Sequence, residues 1–160
     1  MKKLIKWITI LKIKFNKLKR NNNTNIITKI YKEGGDYDGK YIGEFKNGLR
    51  HGRGIMFFDY GDRYEGDWKN DKREGKGAFF FKDGSRYKGD YKNNKRSGIG
   101  VYYCIDGDRY EGGFNNNKFE GKGIYYYKNG DREMGDYLNN KPSGKHIILD
   151  SKGNVKIQNY

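Results

Sequence analysis

The sequence predicts an all-β fold, an elongated antiparallel meander of stacked β-hairpins with about ten strands, preceded by a short N-terminal amphipathic helix. Three observations carry this expectation. A 23-residue phrase begins at Tyr41, Tyr64, Tyr87 and Tyr110 and again, eroded, at Glu133. A fixed period in this range marks an array of one supersecondary unit. Glycine recurs at positions 3, 12 and 21 of every phrase and at position 14 of all but the last, where His146 stands. Position 3 lies between aromatic residues at positions 1 and 5, and this two-residue alternation belongs to a strand.

Taken in order, residues 1–20 (MKKLIKWITILKIKFNKLKR) hold +8 of the net charge of +14 and no acid. Leu4, Ile8, Leu11, Phe15 and Leu18 fall on one helical face. Ile5, Trp7, Leu11, Ile13 and Phe15 also alternate at strand period, but the lysines would interrupt a strand, so the helix is preferred. The longest uncharged run, residues 7–11, falls far short of the roughly 20 residues that span a bilayer. No small-residue cleavage site follows it, and Lys2 excludes N-myristoylation. Two readings stay open. The segment lies in an anionic membrane surface through Lys2, Lys3, Lys6, Trp7, Lys12 and Lys14, or it folds back over apolar sheet surface. Residues 21–25 (NNNTN) read as a polar linker, and residues 26–40 as a degenerate half-repeat that caps the array.

The repeats occupy 41–63, 64–86, 87–109, 110–132 and 133–155, with a tail at 156–160. Positions 1, 3 and 5 share one strand face, with the glycine leaving room for neighbouring rings. Position 8 is Gly48, Asp71, Asn94, Asn117 and Asn140, all of types that tolerate a turn with positive φ. Positions 15–18 make the second strand, and the glycine at position 21 opens the turn to the next repeat. At about 4.8 Å per strand the ribbon extends roughly 45–50 Å. The phrase strongly resembles the MORN repeat (membrane occupation and recognition nexus) across residues 41–155, since period, glycines and aromatics all agree. That resemblance implies an accessory or scaffold module like those of junctional membrane proteins, phosphoinositide kinases, a lysine methyltransferase and cytoskeletal scaffolds.

Two features go beyond the repeat pattern. Position 17 adds Phe57, Phe80, Tyr103 and Tyr126 on the face opposite positions 16 and 18, which calls for cover. The cover is the N-terminal segment, a second copy in a homo-oligomer, a lipid surface, or long charged side chains from the neighbouring strand. Positions 9–13 sum to +9 over the five repeats, against +1 for the inter-repeat turns at positions 19–23. Arg50, Arg53, Lys72, Arg73, Lys76, Lys95 and Arg96 thus read as a basic edge suited to a surface of phosphates.

Catalysis finds no support. His51 and His146 lack partners at metal or triad spacing, and Gly-x-Gly is followed by neither a helix nor GK[ST]. No catalytic residue, metal or cofactor is expected. Cys104 stands where other repeats carry Phe58, Phe81 and Tyr127, so its role is packing. A single cysteine points to a reduced, cytoplasmic setting, with peripheral membrane contact as an extension of it. The expected partner is an anionic phospholipid membrane, or alternatively a protein, including a second copy, on the position-17 ladder. Nucleic acid is disfavoured, since the aromatics read as structural.

Overall fold

The computed structural model describes residues 26–31 and 38–160. The helix expected in residues 1–20 and the linker at 21–25 lie outside them. Twelve strands follow one another: β1 (Ile27–Tyr31), β2 (Gly39–Lys46), β3 (Leu49–Phe58), β4 (Arg63–Lys69), β5 (Lys72–Phe80) and β6 (Arg86–Lys92). After them come β7 (Lys95–Tyr103), β8 (Arg109–Asn115), β9 (Lys118–Tyr126), β10 (Arg132–Leu138), β11 (Lys141–Leu149) and β12 (Val155–Asn159). They form one antiparallel sheet in sequence order. The count is twelve rather than about ten because sequence flanking the repeats also pairs. β1 comes from the 26–40 segment and β12 from residues 155–159, and each covers an otherwise open edge of the array.

The second strand of each repeat starts at position 9, well before the expected position 15. Its hairpin loop has only two residues, so the chain re-enters the sheet at once. Both loop residues are left-handed, as in Asn70 (φ 48°) and Asp71 (φ 65°) or Asn93 (φ 49°) and Asn94 (φ 69°). This is the type I′ geometry whose twist matches the strands. Position 8 does more than tolerate positive φ. Its side-chain oxygen accepts the amide N–H of position 10 in the preceding repeat: Asp71 from Arg50 (2.9 Å), Asn94 from Arg73 (2.7 Å), Asn117 from Arg96 (2.8 Å) and Asn140 from Phe119 (2.8 Å). Successive turns are therefore stitched side by side.

The core is a spine of aromatic rings on one face. Tyr41, Tyr64, Tyr87 and Tyr110 are fully buried. Each lies over a pair of glycines that face one another across the sheet, such as Gly66 and Gly77 under Tyr64. A Cβ at Gly77 would stand 2.4 Å from the Tyr64 hydroxyl and 2.6 Å from its ring, so only glycine admits the ring there. Each hydroxyl donates to the position-4 carbonyl of its own repeat, at 3.0–3.1 Å. Position-5 rings stand edge-on between successive tyrosines: Trp68 between Tyr41 (5.4 Å) and Tyr64 (5.2 Å), Tyr91 between Tyr64 and Tyr87, Phe114 between Tyr87 and Tyr110. Each such pair contributes about 0.5–1.5 kcal/mol beyond area burial.

In the last repeat Glu133 replaces the tyrosine and His146 the glycine, and the two exchanges answer each other. The His146 ring lies on Gly135 where the tyrosine ring would lie. Its Nε2 is 2.7 Å from the position-4 carbonyl of Asp136, and its Nδ1 is 3.0 Å from Glu133 Oε1. Tyr137 and Tyr160 stack edge-on against it, so the spine continues to the chain end.

Burial raises the phenol pKa of every spine tyrosine, that of Tyr110 to about 12 from an ordinary 10.0. A neutral phenol favoured by folding stabilises the sheet fully below pH 10.0, and that contribution is lost as pH climbs toward the folded-state value. Alkaline titration should therefore show tyrosinate absorbance and loss of β-sheet circular dichroism rising together. Free titration of the phenols near their ordinary pKa, with the sheet signal unchanged, would contradict this packing.

Candidate interaction surfaces

The seven basic residues singled out for the edge separate into three groups. Arg50, Arg73 and Arg96, at position 10, turn inward and close the rim of the aromatic spine. Arg50 is 4% exposed, with its guanidinium 4.5 Å from the Trp68 ring and its Nε 2.8 Å from Asp71 Oδ1. Arg73 packs over Tyr64, Phe79 and Tyr91, and Arg96 over Tyr87, Tyr102 and Phe114, at 5.1–5.8 Å. Their Nη2 groups donate to the turn carbonyls of Asn94 (2.9 Å) and Asn117 (2.8 Å). These arginines are structural cations held by rings and carbonyls. Phe119 fills the same place in the fourth repeat, stacked 3.8 Å from Tyr110.

Arg53 and Lys76, at position 13, stand on the opposite face and are neutralised by Asp67 (3.4 Å) and Asp90 (2.5 Å). Lys72 and Lys95 alone keep the expected exposure at the hairpin edge. Their ammonium groups reach only the turn amide oxygens of Asn93 (3.4 Å) and Asn116 (3.2 Å). The short loop adds neighbours that the sequence reading did not include. Lys46, Lys69 and Lys92 at position 6, with Lys118 and Lys141 at position 9, complete a row of seven exposed lysines. Among the described residues none of the seven has a carboxylate at ion-pair distance. Acids nearby are otherwise engaged: Glu74 accepts the Asn93 amide (2.9 Å) and Glu120 that of Asn139 (3.2 Å). Lys69 pairs directly across from Lys72, and Lys92 across from Lys95. Like charges in direct opposition destabilise a hairpin. The signal for this row was the Asn-Asn or Asn-Asp loop, which sets positions 6 and 9 opposite one another.

On the other face, Phe57, Phe80, Tyr103 and Tyr126 are half-buried. Arg63, Arg86 and Arg109 lie over the last three rings at 4.1–4.2 Å. Cover for these three rings thus comes from within the sheet. Lys2, Lys3, Lys6, Trp7, Lys12 and Lys14 lie outside the described residues. Among the described residues, no group of three or more His, Cys, Asp or Glu is placed to hold a metal ion. Cys104 is half-buried 4.0 Å from the Tyr125 hydroxyl, and burial pushes its thiol pKa up, away from nucleophilic reactivity.

The family model of the MORN repeat matches residues 41–63, 64–86, 87–109 and 110–132. No curated protein sequence matches the chain. Among solved structures, the chain is similar to the SAS-4 (dCPAP) TCP domain of Drosophila melanogaster, in complex with a proline-rich motif of Ana2 (dSTIL). The identity is 12%, the TM-score 0.38, and the match covers 88% of this chain and 92% of that one.

Proposed function

This chain belongs to the MORN-repeat family, and we propose that it is a non-catalytic scaffold module that lays its lysine-bearing hairpin edge on an anionic membrane surface. The observation that carries this reading is the row of seven exposed lysines that have, among the described residues, no carboxylate at ion-pair distance, two pairs of which face each other at a cost to the hairpins. A fold selected for stability alone would place an acid at one of the two positions. Lipid phosphates would relieve the repulsion, and each basic side chain near such a surface contributes on the order of 1 kcal/mol. The strongly basic residues 1–20 would act together with the edge, as two weak attachments do in one molecule.

The experiment is co-sedimentation of the full chain with vesicles of phosphatidylserine and phosphatidylcholine. Lys72→Glu, Lys95→Glu and Lys118→Glu together should weaken binding by about a hundredfold or more, each reversal removing at least one such contribution. Lys82→Glu, Lys128→Glu and Lys152→Glu change the net charge equally but sit at the opposite edge, and should weaken it far less. Equal losses from the two triple variants would reduce the effect to net charge and defeat the edge reading. Stronger binding to single-stranded nucleic acid than to vesicles at matched salt would replace the membrane as partner.

A further inference from the structure

The face opposite the spine carries two regular ladders of ion pairs, and the third repeat interrupts both. In the first ladder, position 13 of one repeat pairs with position 4 of the next: Arg53 with Asp67 (3.4 Å), Lys76 with Asp90 (2.5 Å) and Lys122 with Asp136 (3.7 Å). Between the last two, the register sets Ile99 against Gly113, so both partners are apolar together. Ile99 is 65% exposed, and the glycine beside it offers no side chain to cover it. In the second ladder, position 23 pairs with position 2 of the same strand: Arg63 with Glu65 (3.1 Å) and Arg109 with Glu111 (3.2 Å). Between them Arg86 is followed by Lys88. Arg63 and Arg109 are half-buried, whereas Arg86 and Lys88 are exposed, and among the described residues neither has a carboxylate at ion-pair distance.

The two interruptions adjoin. Arg86 is the register partner of Tyr103 and Lys88 that of Val101, while Ile99, Val101 and Tyr103 alternate along β7 on this face. A recess of about 650 Å³ lies here, its walls including Ala78, Lys88, Ile99, Val101 and Tyr103 over a floor of glycine backbone.

We propose that this recess receives an extended peptide segment of a protein partner, with acidic side chains at alternate positions and a branched apolar side chain two residues further on. The levels Arg86/Tyr103, Lys88/Val101 and Ile99/Gly113 succeed one another at about 6.7 Å, the spacing of alternate side chains in an extended chain. Acids at the first two levels neutralise Arg86 and Lys88. An aliphatic side chain at the third covers the exposed Ile99. A lipid surface matches this face poorly, because the flanking cations Arg53, Lys76, Arg63 and Arg109 are already paired with Asp67, Asp90, Glu65 and Glu111, so a broad sheet of phosphates would meet those carboxylates where a single strand need reach only Arg86 and Lys88. A second copy presenting the same face would bring cations against cations.

The test is selection of displayed random peptides on the immobilised full chain. Enriched sequences should carry Asp or Glu at alternate positions with Leu, Ile or Val two residues beyond. Lys88→Glu, which recreates the Arg63–Glu65 pairing and so keeps the fold, should weaken a selected peptide about tenfold or more. Ile99→Lys, at an exposed position, should do the same. Lys72→Glu with Lys95→Glu and Lys118→Glu should leave peptide binding intact, which separates this site from the membrane edge. Enrichment of sequences without alternating acids, or peptides indifferent to both Lys88→Glu and Ile99→Lys, would overturn the proposal. Loss of vesicle binding on Lys88→Glu, with no peptide enriched, would assign the recess to lipid instead.

Discussion

Tyr87→Ala should cost the array about 3–5 kcal/mol, the range for removing a large buried ring. Tyr87 is fully buried, and its ring meets Tyr91 at 5.3 Å and Phe114 at 4.8 Å, both edge-on. It covers Gly89 and Gly100, and its hydroxyl donates to the Asp90 carbonyl at 3.0 Å. Removing the ring leaves two bare glycine backbones and breaks the spine at mid-array. The loss is amplified because each repeat is stabilised only by its neighbours. Tyr87→Phe keeps the ring and loses one hydrogen bond, so about 1 kcal/mol is expected. Gly100→Ala attacks the same contact from below. Its Cβ would stand 2.4 Å from the Tyr87 hydroxyl and 2.5 Å from the ring, and a rigid ring must move, at about 1–3 kcal/mol. Urea unfolding followed by circular dichroism ranks the three. A Tyr87→Ala midpoint near that of the unaltered chain would contradict the spine as the source of stability.

The second large effect lies at the last repeat. His146→Ala should cost about 3 kcal/mol, because Glu133, only 3% exposed, loses the imidazole facing its Oε1 and is left with the Tyr127 hydroxyl donating to its Oε2 at 2.6 Å. Glu133→Tyr with His146→Gly reinstates the arrangement of the other four repeats and should recover most of that loss. Glu133→Tyr alone should fail, since the new ring and the His146 ring compete for the space over Gly135. The coupling between the two sites, read from a double-mutant cycle, is then large and favourable. Additive single effects would show that His146 and Glu133 do not substitute jointly for the tyrosine.

The repeat made the sheet legible, because period and glycine placement both encode contacts between successive strands. At its ends, the segment 26–40, read as a capping half-repeat, supplies the edge strand Ile27–Tyr31, whereas Val155–Asn159, read as the end of the last repeat and a tail, carries no strand signature and joins the sheet because an open edge is there to pair with. The basic edge was legible in part. Charge counting located the right end of the hairpins but could not tell Arg50, Arg73 and Arg96, drawn under the rings, from Lys72 and Lys95 in solvent. Position 10 held a hint, because Phe119 and Pro142 occupy it in the last two repeats and neither suits a solvated cationic edge. The position-17 ladder suggested an unmet need for cover. Of the covers named from the sequence, long charged side chains of the adjacent strand supply it for three rings, with Arg63, Arg86 and Arg109 over Phe80, Tyr103 and Tyr126, and only the register told which arginine meets which ring. The coupled exchanges Glu133/His146 and Ile99/Gly113 were visible as departures, but their pairing needed the register.

Site-specific quenching tests whether the lysine edge is the surface that meets a membrane. In a Cys104→Ser background, one fluorophore is attached through Lys92→Cys at the lysine edge and, separately, through Ile105→Cys at the opposite edge, both exposed positions. With the full chain bound to phosphatidylserine vesicles, the Lys92→Cys label should become shielded from an aqueous quencher while the Ile105→Cys label stays open to it. Equal quenching of the two labels in the vesicle-bound protein, or shielding of the Ile105→Cys label alone, would contradict the lysine edge as the surface that meets the membrane.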